Sequence, residues 1–433
     1  MPRHWSITTE WAQLDTGSPE ERAGFAALGI SAYDICLTAG HDRLVQSIRV
    51  APYLSAYHFA EWLAWNWWRV RWEPRKVSPQ WELSHAMASI GNGYVWPNIH
   101  FVSDGENLTL VSKPTPERAR TPFRYINDSV SVIPATEFES EVDLFIETVL
   151  QRLQDCQVTD SNLREVWLAV LQERNDPAVY QLRKLEALLG EDPGEMDEAQ
   201  LQQLLDNAEF TGQSALEEIA ANRIIGQDIP DVTGLIEMGR TQGTSTNPQD
   251  RISLRSHMPR DQGAAWKQGA CAAKLLREQE RIAPSALITN DRLAGMYGAP
   301  SDIFNARTRP IHRPDLSFAL SESSQHSRVM LRSHWQSGRR FELARLLGDY
   351  LTYSTKDPMR PVTRSNTYRQ KVQRAFAAEL LSPFDAVDAM LDGDYSMESQ
   401  EDVADHFQVS ELTIRTLLVN HGRVDRSELD EAD

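Results

Sequence analysis

Apolar residues recur at three- and four-residue intervals over much of the chain. Val142, Phe145, Ile146, Val149, Leu150 and Leu153 line one face, which predicts a helix over 138–153. The same period predicts helices over 163–173, 179–189, 198–206 and 214–222, with natural stops at Gly190 and Gly212. Two alternating segments within 93–111 flank Asp104 and Gly105, the pattern of a β-hairpin. Residues 227–258 are rich in Gly, Thr, Ser, Asn and Pro and read as a linker. Beyond them the pattern predicts helices over 261–280, from 288, over 339–353 and over 368–381. Short strands are expected at 317–321 and 327–331, around a polar turn at 322–326. The expected class is α+β, predominantly helical. It comprises an α+β domain over 1–155, a helical region over 156–226, a linker over 227–258, a further domain over 259–383 and a helical segment over 384–433.

Composition narrows this picture. The 433 residues, 41% hydrophobic, suffice for two or three cored domains. No apolar run of about eighteen residues occurs, so neither a membrane span nor a membrane partner is expected. The first residues lack the apolar stretch of a signal peptide. Cys36, Cys156 and Cys271 lie far apart, without metal-ligand spacing, which fits a reducing, cytoplasmic location. A net charge of −18 disfavours nucleic acid unless basic residues share one surface.

Nine of the twelve tryptophans precede residue 155, most densely over 61–72. Trp65, Trp68 and Trp72 fall at helical spacing. The plainer reading is an aromatic core. The sharper one is a stacking platform for a base or a methylated ligand, with Trp65, Trp68, Arg69 and Arg71 as its parts. Ten acidic residues and no lysine or arginine occupy 186–218. They read as a solvated face, or else as a docking surface for a basic partner or a surface that resembles nucleic acid in charge.

The chemistry-bearing stretch is Phe341-Glu342-Leu343-Ala344-Arg345-Leu346-Leu347-Gly348-Asp349-Tyr350-Leu351. Downstream lies Phe376-Ala377-Ala378-Glu379-Leu380-Leu381-Ser382-Pro383, and upstream Asn290 to Gly298. In this order, from Pro259 onward, these segments resemble the ImmA/IrrE family of zinc metallopeptidases. That family carries F-x-L-A-H-E-x-G-H-Y-L and a later E-x-x-A-N-x-F-A-x-x-L-L-x-P. The resemblance implies a zincin-like domain over 259–383. It covers roughly 165 of 433 residues; the first 258 resemble nothing recognised. Zincin chemistry needs two histidines one helical turn apart and a glutamate as general base. Carried over, the first histidine position is Arg345, the base is Leu346, the second histidine is Asp349, and the third ligand falls at Gln370. Arginine cannot coordinate a cation and leucine cannot take a proton. The expected site is therefore a pseudo-active site with no catalytic residue, no metal and no cofactor.

Arg345 and Asp349 are four residues apart, and a direct ion pair between them is expected to fill the metal position. A remnant site of His334, Glu342, Asp349 and Glu379 is the lesser alternative. Arg328, Arg332, Arg339, Arg340, Arg345, Arg360, Arg364, Arg369, Lys371 and Arg374 either solvate helix faces or line a groove for an anion, peptide or nucleic acid. Glu342, Arg340 and Arg374 are its candidate ligand-binding residues. Residues 401–418 read as a helix-turn-helix with its turn at Val409 and Ser410. Fourteen acidic residues against three arginines over 385–433 favour a structural role for it.

Three functions follow as expectations. One is a non-catalytic regulatory or binding protein on a bacterial pseudo-peptidase scaffold, in stress response or phage and mobile-element defence, with a repressor, toxin or defence component as protein partner. The second is a divergent metallopeptidase cleaving a repressor-like protein. The third is a DNA-binding transcriptional regulator.

Overall fold

A computed structural model describes residues 4–224, 227–248, 253–254, 263–305, 314–323, 326–353 and 356–425. Among the described residues the protein is α+β and helix-dominated, with about 51% helix and 17% strand. It divides into two compact units, Met1–Gln202 with Arg223–Asp228, and Gln203–Asn222 with Ile229–Asp433. Among the described residues no helix is long and apolar enough to cross a membrane.

The first unit carries three small antiparallel sheets. Trp5–Trp11 pairs with Phe25–Ala32. The hairpin Asn98–Ser103 and Asn107–Lys113 turns at Gly105, whose φ of +94° suits a residue without Cβ. The Asp104 carboxylate stabilises this turn by accepting from the amides of Glu106 and Asn107. Ser129–Pro134 adds the third strand, and the helix Ala135–Asp155 follows. Phe138, Val142, Phe145, Ile146, Val149 and Leu153 are buried from this helix, which explains the period seen in the sequence.

The tryptophan-rich stretch is two helices, Ala56–Trp65 and Trp67–Trp72. Asn66 separates them, its side-chain amide donating to the Trp62 carbonyl at 2.8 Å. The break sets aside the continuous helical spacing expected for Trp65, Trp68 and Trp72. Trp62, Trp67 and Trp68 enter the core, whereas Trp65 is 56% exposed.

The second unit holds a four-stranded antiparallel sheet in the order Thr244–Thr246, Ser327–Met330, Ser317–Ser321, Met359–Val362. The expected linker supplies the first of these strands and also the helix Val232–Gln242. Val232, Leu235 and Ile236 are buried, a helical spacing that the surrounding Gly and Thr residues disguise. Gly239 permits the close approach: a Cβ there would lie 2.7 Å from the Phe318 ring. The helical region expected over 156–226 is likewise divided, because Gln213–Ala221 packs within the second unit.

Three helices, Ala265–Gln279, Gln336–Thr352 and Tyr368–Leu381, form the centre of the second unit. The expected start of the first of them, Asp261 and Gln262, lies outside the described residues, as do Pro259 and Arg260. Met397–Phe407 and Glu411–Asn420 make the helix-turn-helix, with Val409 buried in the turn and Ser410 capping the second helix. Residues 426–433 of the C-terminal segment lie outside the described residues.

Candidate functional site

The peptidase-like stretch is the helix Gln336–Thr352, and its frame residues are packing residues. Leu343, Ala344 and Leu347 are buried. Gly348 faces Phe376 so closely that a Cβ would lie 2.6 Å from the ring. Phe376, Ala377, Leu380 and Leu381 return this contact from Tyr368–Leu381. Thus the helices Gln336–Thr352 and Tyr368–Leu381 are apposed through one apolar seam.

The positions that differ from the peptidase pattern are buried and polar. Asp349 has no exposed surface. Its carboxylate accepts from Arg369 Nε at 2.6 Å and Arg369 Nη2 at 2.7 Å. It also accepts from Arg360 Nη1 at 3.0 Å and Gln373 Nε2 at 2.9 Å. Burial alone would raise this carboxyl, but Arg369, with Arg360 and Gln373, holds it below the usual carboxylate range. Arg369 in turn lies over the Tyr353 ring, 4.2 Å from its centroid.

Arg345 is not the partner of Asp349, contrary to the pairing expected from their spacing. Its Nη2 donates to the Thr363 carbonyl at 2.8 Å and to Gln370 Oε1 at 2.6 Å. The long arginine stem carries the guanidinium past the helix, so Arg360 and Arg369, arriving from a strand and a neighbouring helix, reach the carboxylate instead. Burial pushes Arg345 down to about 9. Gln370 Oε1 also accepts the Thr363 amide at 2.8 Å, and its Nε2 donates to the Pro361 carbonyl at 3.1 Å. Leu346 is fully buried among apolar residues.

One further group comes from the acidic run over 186–218, none of whose residues is among those the sequence places at this site. Glu218, on Gln213–Ala221, is buried and accepts from the Thr367 hydroxyl at 2.7 Å. Thr367 begins a hydroxyl chain through Ser365 to Thr363. Burial raises the Glu218 carboxyl, opposed by the charge of Arg369. The sequence signal for Glu218 is weak: it is one acid among ten in a run that reads as solvated.

The other candidates fall elsewhere. Arg340 is fully buried and works as a fastener. Its Nη2 donates to the Ile288 carbonyl, its Nη1 to Asn290 Oδ1 and its Nε to the Gln408 carbonyl. Arg374 donates to the Ser365 carbonyl at 2.9 Å and to Asn366 Oδ1 at 3.3 Å. Glu342 accepts the Ser333 amide at 3.0 Å. Of the expected groove, Arg340, Arg345, Arg360, Arg369 and Arg374 are therefore already committed to backbone carbonyls, side-chain amides and Asp349.

Glu342, Asp349 and Glu379 do not converge either. Glu379 lies beside Lys274 and accepts the Phe384 amide, distant from the Asp349 network in its bonding. Among the described residues no group of three or more His, Cys, Asp or Glu side chains could hold a metal ion.

The tryptophan platform is not assembled. Trp68 Nε1 donates to Glu173 Oε2 at 2.8 Å, and its ring meets Trp67 and Tyr180 edge-on. Arg69 is buried against Glu73 at 2.8 Å and Asp192 at 3.2 Å. Only Trp65 of that set presents its ring to solvent.

The arrangement around Asp349 neutralises, fastens and fills the interior between these helices and the sheet. No protein-family model, no curated protein and no solved structure matches this chain.

Proposed function

We propose that this protein is a non-catalytic binding or regulatory protein whose second unit keeps a peptidase-like frame without peptidase chemistry. The observation that carries this reading is the Asp349 network. The residues aligned with metal ligands and base, Arg345, Leu346, Asp349 and Gln370, are all buried. They are occupied by Thr363, Pro361, Arg360, Arg369, Gln373 and apolar neighbours. A catalytic zinc site needs ligands that converge and keep one position open for water. Here the convergent groups are guanidinium cations, which repel a metal ion.

The ImmA/IrrE likeness supports a place in stress response or in defence against phage and mobile elements, with a repressor, toxin or defence component as partner. The divergent-peptidase alternative would need ligands that these positions do not supply. The DNA-binding alternative is supported by the helix-turn-helix Met397–Phe407 and Glu411–Asn420, and opposed by the acidity of that segment.

The test is direct. The full chain is purified, its zinc content is measured by mass spectrometry, and its activity on casein and on a repressor-like substrate is assayed with and without added zinc. The expected result is substoichiometric zinc and no cleavage. One zinc per chain together with chelator-sensitive cleavage would overturn the proposal.

A further inference from the structure

A cleft of 410 Å³ opens in the second unit between the start of Gln336–Thr352 and the helix-turn-helix. Its floor is apolar, from Ala404 and Val409. At its mouth stands Trp335, 78% exposed, an unusual cost for so large an indole. Glu401, Asp405 and Glu411, all three exposed, line it together with Ser333, Ser337, Gly338 and Ser410. Among the described residues none of these carboxylates forms an ion pair, and no lysine, arginine or histidine lines the cleft.

We infer that this cleft is a docking site for an arginine-bearing segment of a partner protein. The argument is one of complementarity. A guanidinium is planar and weakly hydrated, stacks on an indole face, and donates in a fork to carboxylates. Trp335 supplies the face, the three acids supply the acceptors, and the apolar floor accommodates the arginine stem.

One feature opposes a cation. The helix Gln336–Thr352 begins at the cleft without a side-chain cap, and a helix N-terminus carries about half a positive charge. Three full carboxylate charges outweigh it. The same acids oppose the other use of a helix-turn-helix. Glu411 opens the second helix, the end that a DNA reader would insert between the phosphate-lined walls of the major groove.

This inference rests on the chain being a binding protein, but it concerns a face separate from the Asp349 network. Cleavage activity would remove the non-catalytic reading and leave the cleft untested by that result; the following experiment addresses the cleft alone. A fluorescein-labelled Ser-Gly-Arg-Gly-Arg-Gly-Ser peptide, its lysine counterpart and a labelled DNA duplex are titrated against the full chain by anisotropy.

The arginine peptide is expected to bind best and the duplex not at all. Trp335→Ala, and separately the combination Glu401→Gln, Asp405→Asn and Glu411→Gln, should each weaken the arginine peptide by at least about tenfold. The exposed control set Glu195→Gln, Glu198→Gln and Glu209→Gln removes equal charge elsewhere and should leave binding unchanged. Circular dichroism establishes that every variant is folded. Absence of arginine-peptide binding, equal loss in the control set, or preferential binding of the duplex would each overturn the inference.

Discussion

Replacing Asp349 tests whether the second unit depends on its buried charge cluster. Asp349 is wholly buried and accepts four hydrogen bonds, two from Arg369 and one each from Arg360 and Gln373. In Asp349→Ala the guanidinium of Arg369 stays buried with its counter-charge gone. Removing one member of a buried ion pair costs about 3–5 kcal/mol. A Coulomb check agrees, since opposite charges near 4 Å at an effective dielectric of 20 attract by about 4 kcal/mol. For a unit of this size each kcal/mol lowers the melting temperature by roughly 2–4 °C, so a fall of roughly 6–20 °C is expected. Asp349→Asn keeps the volume and removes the charge; it should lose most of the same stability if charge rather than packing is the cause. The exposed pair Lys113 and Asp128 is the comparison, and Asp128→Ala should cost less than about 1 kcal/mol. Differential scanning calorimetry follows melting, and hydrogen exchange over 336–352 and 368–381 locates the loss. If Asp349→Ala melts like Asp128→Ala, the network is not a stabilising element and the reasoning fails.

Arg345 has no carboxylate partner, so Arg345→Met should stay within about 2 kcal/mol of the unaltered protein in chemical denaturation; a loss as large as that of Asp349→Ala would contradict the bonding described. Glu218 is raised from 4.5 by burial, so between its unfolded and folded values the folded chain keeps a proton that the unfolded chain has released, and stability falls as pH rises through that window. Glu218→Gln abolishes that titration and should gain on the unaltered protein as pH rises above the ordinary carboxylate range in paired urea melts; a parallel pH profile for the two would refute it. Trp68→Ala should cost about 3–5 kcal/mol while Trp65→Ala changes stability by less than about 1 kcal/mol, read by denaturant midpoints. A ligand-binding platform would instead make Trp65 and Trp68 matter for binding and not for folding.

Local structure was legible where one period ran undisturbed. The helix Ala135–Asp155 and the hairpin at Asp104 and Gly105 follow from apolar spacing and turn chemistry alone. The Val232–Gln242 helix was hidden because only four apolar residues, three of them buried, sit among glycines and threonines, and burial against the sheet rather than propensity makes it helical. The polar site was less legible still. The expectation that Arg345, Leu346 and Asp349 do not make up a zinc site with its base rests on side-chain chemistry that is plain in the sequence. Their partners are not plain, because Arg369, Arg360 and Gln373 arrive through tertiary packing. An arginine side chain reaches several residues beyond its own turn, so spacing along one helix does not determine whom it meets. Glu218 was the most distant case, contributed by a segment 127 residues before Arg345.

The path of the chain has a further consequence. It passes from the first unit to the second after Gln202, returns at Arg223, and leaves again after Asp228. No single cut can therefore release both units whole. A fragment starting at Ile229 would lack Ser214 and Glu218, and with them the groups bonded to Asp357 and Thr367. During synthesis the residues Gln203–Asn222 emerge before the rest of the unit they belong to and must wait for Tyr368–Leu381. Limited proteolysis and truncation of this protein should accordingly yield nicked but unseparated species rather than two autonomous domains.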